Sequence, residues 1–235
     1  MHQFFINSSL ELKSKVSFDK EIQHQITKVL KLHTDEEILL SNTQVMVVGK
    51  MVIEKDSVSA IIERVVDCPV QRIEVTLIQA LIRKEKFELV LQKATELGVH
   101  RIVPLIMERN VVKWEQDSNK LQRYKTILKE AAEQCHRLNI PELTQPVIIK
   151  DLESYKSDLN FVAYEVADPS HLLKNALNPC KSVSIIIGPE GGISLNEITK
   201  IESLGYKCVS LGSRIYRAET AAMVAINTID CGLGI

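Results

Sequence analysis

Two stretches in the last quarter of the chain constrain it most, because each couples an apolar run to a glycine-bearing loop and then to a helix. The first run, Ser184-Ile185-Ile186-Ile187, delivers Gly188-Pro189-Glu190-Gly191-Gly192. Ser194, with Glu197 three residues on, then has the pattern of a capping box. The second run, Cys208-Val209-Ser210-Leu211, delivers Gly212-Ser213-Arg214-Ile215-Tyr216-Arg217-Ala218-Glu219-Thr220-Ala221, which passes into another helix. Such strand–loop–helix passages belong to an open sheet, whose ligands sit at the carboxyl ends of the strands. The first loop is not a P-loop, because no Lys-Ser/Thr pair follows the glycines. Nor is it a GxGxxG dinucleotide loop, because Pro189-Glu190 fills the middle. Glu190 repels phosphate and suits a cationic or amide-bearing ligand. A tight turn before a capped helix also accounts for the first loop, and Arg217 and Glu219 can pair with each other at a solvent edge. Taken together, the loops present backbone amides, Glu190, Arg217 and Glu219 to one crevice.

The rest of the chain falls into two textures. Residues 1–70 are β-rich with one helix: Ile22, Ile26, Val29 and Leu30 mark a helical stripe, followed by apolar stretches Ile38 to Leu40, Val45 to Ile53 and Val58 to Val66. Turn-like Ser41-Asn42-Thr43 and Glu54-Lys55-Asp56 separate them, and Asp67-Cys68-Pro69 is the expected boundary. Residues 71–235 alternate strands and helices. Strands are expected at Val75 to Leu81, His100 to Ile106 and Phe161 to Val166. A helix carries Phe87, Val90, Leu91, Ala94 and Leu97, and Gly98 is placed to cap it. A longer helix runs from 117 to 138, ending near Pro141, and Asp168-Pro169 reads as the start of another. The alternation predicts a mainly parallel sheet with helices on both faces.

Totals exclude several classes. With a net charge of −1, nucleic acid can be held only by local basic faces, of which Arg83, Lys84, Lys86, Lys93, Arg101 and Arg109 are the densest. The same lysines also fit ordinary exposed helix faces, as does the polar stripe Glu130, Gln134, Arg137. Five scattered cysteines without a CxxC pair point to reduced thiols in a cytoplasmic protein and to no metal site. The N-terminus lacks a signal-peptide pattern, and no apolar run reaches membrane-spanning length.

Several segments resemble the RsmE family, SPOUT-superfamily enzymes that methylate N3 of a uridine in small-subunit ribosomal RNA. They are Leu89 to Val99, Glu108-Arg109, Glu130 to Cys135, Arg137 with Pro141, Gly188 to Gly192 with Glu197, and Leu211 to Ala221. The resemblance implies an α/β domain with a SPOUT-type trefoil-knotted C-terminal segment, preceded by a PUA-like RNA-binding β-barrel over residues 1–70. It also implies a homodimer, small-subunit ribosomal RNA as partner and S-adenosylmethionine as cofactor. Carried over by position, the cofactor is expected against Tyr164, Glu165, Ile187, Gly188, Pro189, Gly191, Leu211, Gly212, Ile215, Tyr216, Thr220 and Ala221. Arg217 and Glu190 are expected to act on the uracil, and Lys84, Lys93, Arg109 and Arg137 to contact RNA. The chain departs from the family pattern at several places. Tyr216 stands for leucine, Asn110 for serine, His136 for a common glycine, Gln3 for a frequent arginine and Lys31 for an arginine. The competing readings are a non-catalytic RNA-binding protein that keeps the knot as scaffold, and a SPOUT methyltransferase acting on another RNA.

Overall fold

The computed structural model describes residues 1–55, 57–68, 72–114 and 118–234. Asp56, Pro69 and the start of the 117–138 helix at Asp117 lie outside the described residues. The chain divides into two compact units. One is Met1–Val70 with Ala132–Ile140, the other Gln71–Ala131 with Pro141–Ile235.

In the first unit, strands β1 (His2–Phe5), β2 (Lys15–Ser17), β3 (Glu37–Ser41), β4 (Met46–Glu54) and β5 (Ser57–Val66) form one sheet in the order β1-β3-β4-β5-β2. Only the β1–β3 pair is parallel. Helix α1 (Lys20–His24) is capped by Asp19, whose carboxylate accepts the Ile22 N–H at 2.8 Å. It continues as a π-helical segment, Gln25–Leu30. Ile22 and Ile26 are buried with Phe4, Ile38 and Met51. Val29 is 64% exposed: the wider i→i+5 winding turns it off the apolar stripe that a regular helix would keep.

The second unit holds β6 (Glu74–Ala80), α2 (Lys84–Glu96), β7 (Arg101–Ile106), most of α3 (Ser118–Gln134), β8 (Glu142–Leu143), β9 (Val147–Ile148), a 3₁₀ segment (Ile149–Tyr155) and β10 (Leu159–Ala163). Then follow α4 (Leu173–Ala176), β11 (Ser182–Ile187), α5 (Leu195–Ser203), β12 (Lys207–Val209) and α6 (Ala218–Leu233). The sheet order is β12-β10-β11-β6-β7-β8, with β9 also on β7, and these pairs are all parallel. Ile78, Val103, Val162 and Ile186 face α5 and the 3₁₀ segment through Ile198, Ile201 and Leu152. Helix α6 packs on β6, β11 and α2, so the sheet is covered on both sides as parallel sheets require.

Three expected boundaries move. Helix α3 stops at Gln134, because His136 takes φ +58° and the Arg137 N–H donates back to Ala132 O, closing the helix before Leu138. Strand β10 ends at Ala163 instead of reaching Val166. No helix starts at Asp168-Pro169: the Asp168 carboxylate accepts both the N–H and the hydroxyl of Ser170, making an Asx turn, and α4 begins only at Leu173.

Candidate active site

Because β10 lies between β11 and β12 and runs parallel to both, three carboxyl ends stand side by side. Ala163 is in register with Ile187 on one side and Val209 on the other. The loops leaving these strands, together with the start of α2, enclose a cavity of about 940 Å³.

The first wall is Gly188 to Gly192, fastened at its far end. The α5 capping box forms in both directions: Ser194 Oγ accepts from Glu197 N–H at 3.3 Å, and Glu197 Oε2 accepts from Ser194 N–H at 3.0 Å. Glu197, almost fully buried, also accepts the Glu108 N–H at 2.7 Å, while Ser194 donates its hydroxyl to Glu108 at 2.8 Å. The end of β7 is thus tied to the start of α5. Within the loop, Gly192 takes φ +72°, and a Cβ at Gly191 would meet the Arg109 carbonyl oxygen at 2.9 Å. Arg109 adds a hydrogen bond from Nη1 to Gly191 O at 3.3 Å.

The second wall is Ser210 to Arg217, where Ser210 Oγ accepts the Gly212 N–H at 3.2 Å. The third is Tyr164 to Pro169; Tyr164 donates its N–H to Val209 O at 3.0 Å. Ile215 stands 85% exposed at the rim.

Of the residues expected to meet the cofactor, Tyr164, Glu165, Ile187, Gly188, Pro189, Leu211, Gly212, Ile215, Tyr216 and Ala221 line this cavity, whereas Gly191 and Thr220 do not. Both residues expected to act on the substrate, Glu190 and Arg217, line it. Arg217 is the N-cap residue of α6, and no side-chain capping bond uses its guanidinium. None of Lys84, Lys93, Arg109 and Arg137 lines the cavity. Lys84 and Arg109 are exposed, and Lys93 is held by Glu96 at 2.8 Å. Arg137 belongs to the other unit, where its Nε donates to Asn139 O at 3.2 Å. Burial lowers the Arg137 pKa from its usual value.

Lys86 and Arg83 also line the cavity, although the sequence groups them with exposed bases. Lys86 Nζ lies 3.3 Å from Glu190 Oε1 and 3.6 Å from Glu219 Oε2. The Arg83 N–H donates to the same Glu190 oxygen at 3.4 Å. Glu219 therefore pairs with a lysine of α2 and not with Arg217. The second oxygen of Glu190, Oε2, is buried without a hydrogen bond, and Glu219 Oε2, which faces Lys86, is likewise too far from it for one. Of the basic cluster noted in the sequence, Lys86, Lys93 and Arg101 have carboxylate partners within the chain, the last at 2.6 Å from Glu142.

Residues 69–230 match the family described as the RNA methyltransferase domain. The chain is 30% identical to the ribosomal RNA small subunit methyltransferase E of Rickettsia conorii, over 96% of this chain and 93% of that one. It is 29% identical to the Bacillus subtilis protein of the same name, over 98% and 96%. Among solved structures it is similar to ribosomal RNA small subunit methyltransferase E from Neisseria gonorrhoeae bound to S-adenosylmethionine. That likeness has a TM-score of 0.90 and 25% identity over 99% of this chain and 98% of that one. A Legionella pneumophila protein in complex with the same cofactor gives 0.88 and 29%, over 97% and 96%.

Proposed function

The chain belongs to the RNA methyltransferase family of the small-subunit type, and from that premise we propose that it methylates N3 of a uridine in small-subunit ribosomal RNA, using S-adenosylmethionine. The observation that carries the reading is the cavity at the adjacent ends of β11, β10 and β12. It unites the two loops that the family pattern singles out.

The cavity suits the cofactor in size and in chemistry. Its volume lies in the range of small-molecule sites. Ile187, Leu211, Ile215 and Tyr216 offer apolar surface for a purine. The buried Oε2 of Glu190, without a hydrogen-bond partner, leaves acceptor capacity for a cationic or N–H-bearing ligand. S-adenosylmethionine, when bound, supplies an electrophilic methyl group on a positively charged sulfur. Contacts are proposed from the cavity-lining residues above, with Gly191 shaping its loop from behind and Thr220 the helix start.

N3 of uracil must lose its imide proton before it can act as a nucleophile. The resulting anion spreads over O2 and O4, and Arg217 is the group proposed to stabilise it. Glu190 is the carboxylate proposed to accept a hydrogen bond from the imide and aid the proton's departure. RNA is proposed to lie across the exposed Arg83, Arg214 and Arg217 at the cavity, with Lys84, Lys93, Arg109 and Arg137 as further contacts. The unit built on residues 1–70 is proposed as a PUA-like RNA-binding module, the C-terminal segment as a trefoil knot, and the working form as a cytoplasmic homodimer acting on the assembled subunit.

The test is methyl transfer from labelled S-adenosylmethionine to small subunits and to naked rRNA that both lack the mark, followed by mass-spectrometric mapping of the nucleotide. N3-methyluridine at one position supports the reading. A methyl on a ribose or another base replaces the proposed target. Absence of heat on calorimetric titration with the cofactor favours the scaffold alternative.

A further inference from the structure

We propose that Lys86 is a positioning residue for this reaction, fixing Glu190 of the first loop and Glu219 of α6 in one ion triad. The proposal rests on the methyltransferase reading of the cavity. One ammonium serves two carboxylates that come from different elements, the first loop and α6: Glu190 at 3.3 Å and Glu219 at 3.6 Å. The side chains are 28%, 19% and 12% exposed for Lys86, Glu190 and Glu219, so water screens the triad far less than a surface pair.

Three consequences follow from its place. Glu190 keeps Oε1 on Lys86 and the Arg83 N–H, which fixes the orientation of the carboxylate and leaves Oε2 without a protein partner. Glu219 lies in the first turn of α6, two residues after Arg217, so holding Glu219 also holds the backbone that carries Arg217. Without the ammonium, two carboxylates would face each other across a partly buried wall with no counter-ion between them, and the loop or the helix start would have to move. Lys86 itself need not touch substrate; it acts through Glu190 and the start of α6.

Lys86→Met and Lys86→Arg test this in the full-length protein, once the wild type has been shown to transfer methyl. K86M should lower kcat by at least about 10-fold while KM for RNA stays within about 2-fold, since phosphate contacts supply RNA affinity. K86R should recover kcat to within about 3-fold of wild type, because it restores the charge. In K86M the amides of residues 188, 190–192 and 217–221 should exchange faster with solvent before any ligand is added, and K86R should reverse this. Adding Glu219→Gln to K86M should raise activity above K86M alone, by removing one of the two opposed charges. Should K86M fail to fold, K86Q serves in the same comparisons. The assignment is overturned if a folded K86M turns over within about 2-fold of wild type, or if K86R is as impaired as K86M. A wild type that transfers no methyl defeats the reading of the cavity instead.

Discussion

His136 holds φ +58° where the family pattern commonly has glycine, and Gln3 stands where arginine is frequent. The two departures meet: His136 Nδ1 lies 3.4 Å from Gln3 Oε1, and Gln3 Nε2 donates to Arg137 O at 2.7 Å. A side chain in the left-handed region costs about 1 kcal/mol, partly offset here by the contact with Gln3. His136→Gly is therefore expected to stabilise the protein by about 0.5 kcal/mol, read from the midpoint of urea unfolding. A lower midpoint would mean that the Gln3 contact outweighs the backbone strain. At the cavity, Arg217 has no ion pair among the described residues, which leaves its charge for a ligand. Arg217→Ala should reduce kcat by about 100-fold or more and change cofactor affinity by less than about 3-fold. Collapse of cofactor binding in that variant removes Arg217 from its proposed role.

At the scale of elements, the α5 capping box was legible from Ser194 and Glu197, because a reciprocal side-chain-to-backbone motif is local in sequence. Its extension to Glu108 was not, since that residue lies on another strand. Gly191→Ala places a methyl against the Arg109 backbone, which cannot rotate away as a side chain tip would. We expect a loss of at least about 5-fold in cofactor affinity, with the melting temperature lowered by only a few degrees. Wild-type affinity in G191A would show that the loop can adjust there freely. Helices α2 and α3 are joined by Arg123 Nε and Nη2, which donate to the two oxygens of Glu88 at 2.6 and 2.7 Å. This pairing depresses the Glu88 pKa, so its contribution to stability is present above the ordinary carboxylate range, near pH 4.3, and is lost as pH falls through the lowered folded value. The stability difference between wild type and Glu88→Gln should accordingly be largest near neutrality and shrink toward about pH 3, in thermal melts across that range. A difference that is flat with pH would show that the bridge contributes through packing alone.

For the whole molecule, a net charge of −1 leaves RNA binding to local bases. The exposed Lys84 and Arg109 are the better candidates for phosphate contact, because Lys93 is occupied by Glu96 and Arg137 is half-buried. Replacing Lys84 with alanine should weaken RNA binding and reduce the slope of log affinity against log salt by about 0.7–0.9. An unchanged slope would return Lys84 to the role of an ordinary exposed helix residue.

Local pattern determined the strands β3, β4 and β5, the apolar run of β11, the helix α2 and both cavity loops. Each is specified by neighbours in the chain: alternation, continuous burial, helical spacing, or glycine and capping residues beside a run. Local pattern misjudged the ends of α3 and β10, where one left-handed residue or a turn overrides periodicity. Only the tertiary structure decided which charges belong together. Lys86 reads as one of several exposed bases because helical spacing says nothing about what a helix N-terminus will face. The parallel order β10-β11-β6 sets the end of β11 beside the beginning of α2, and α6 packs against α2. Lys86 then bridges Glu190 and Glu219 beside the crevice that the two glycine loops had marked. Their attraction is long-range in sequence and short-range in space, and only the folded chain contains it.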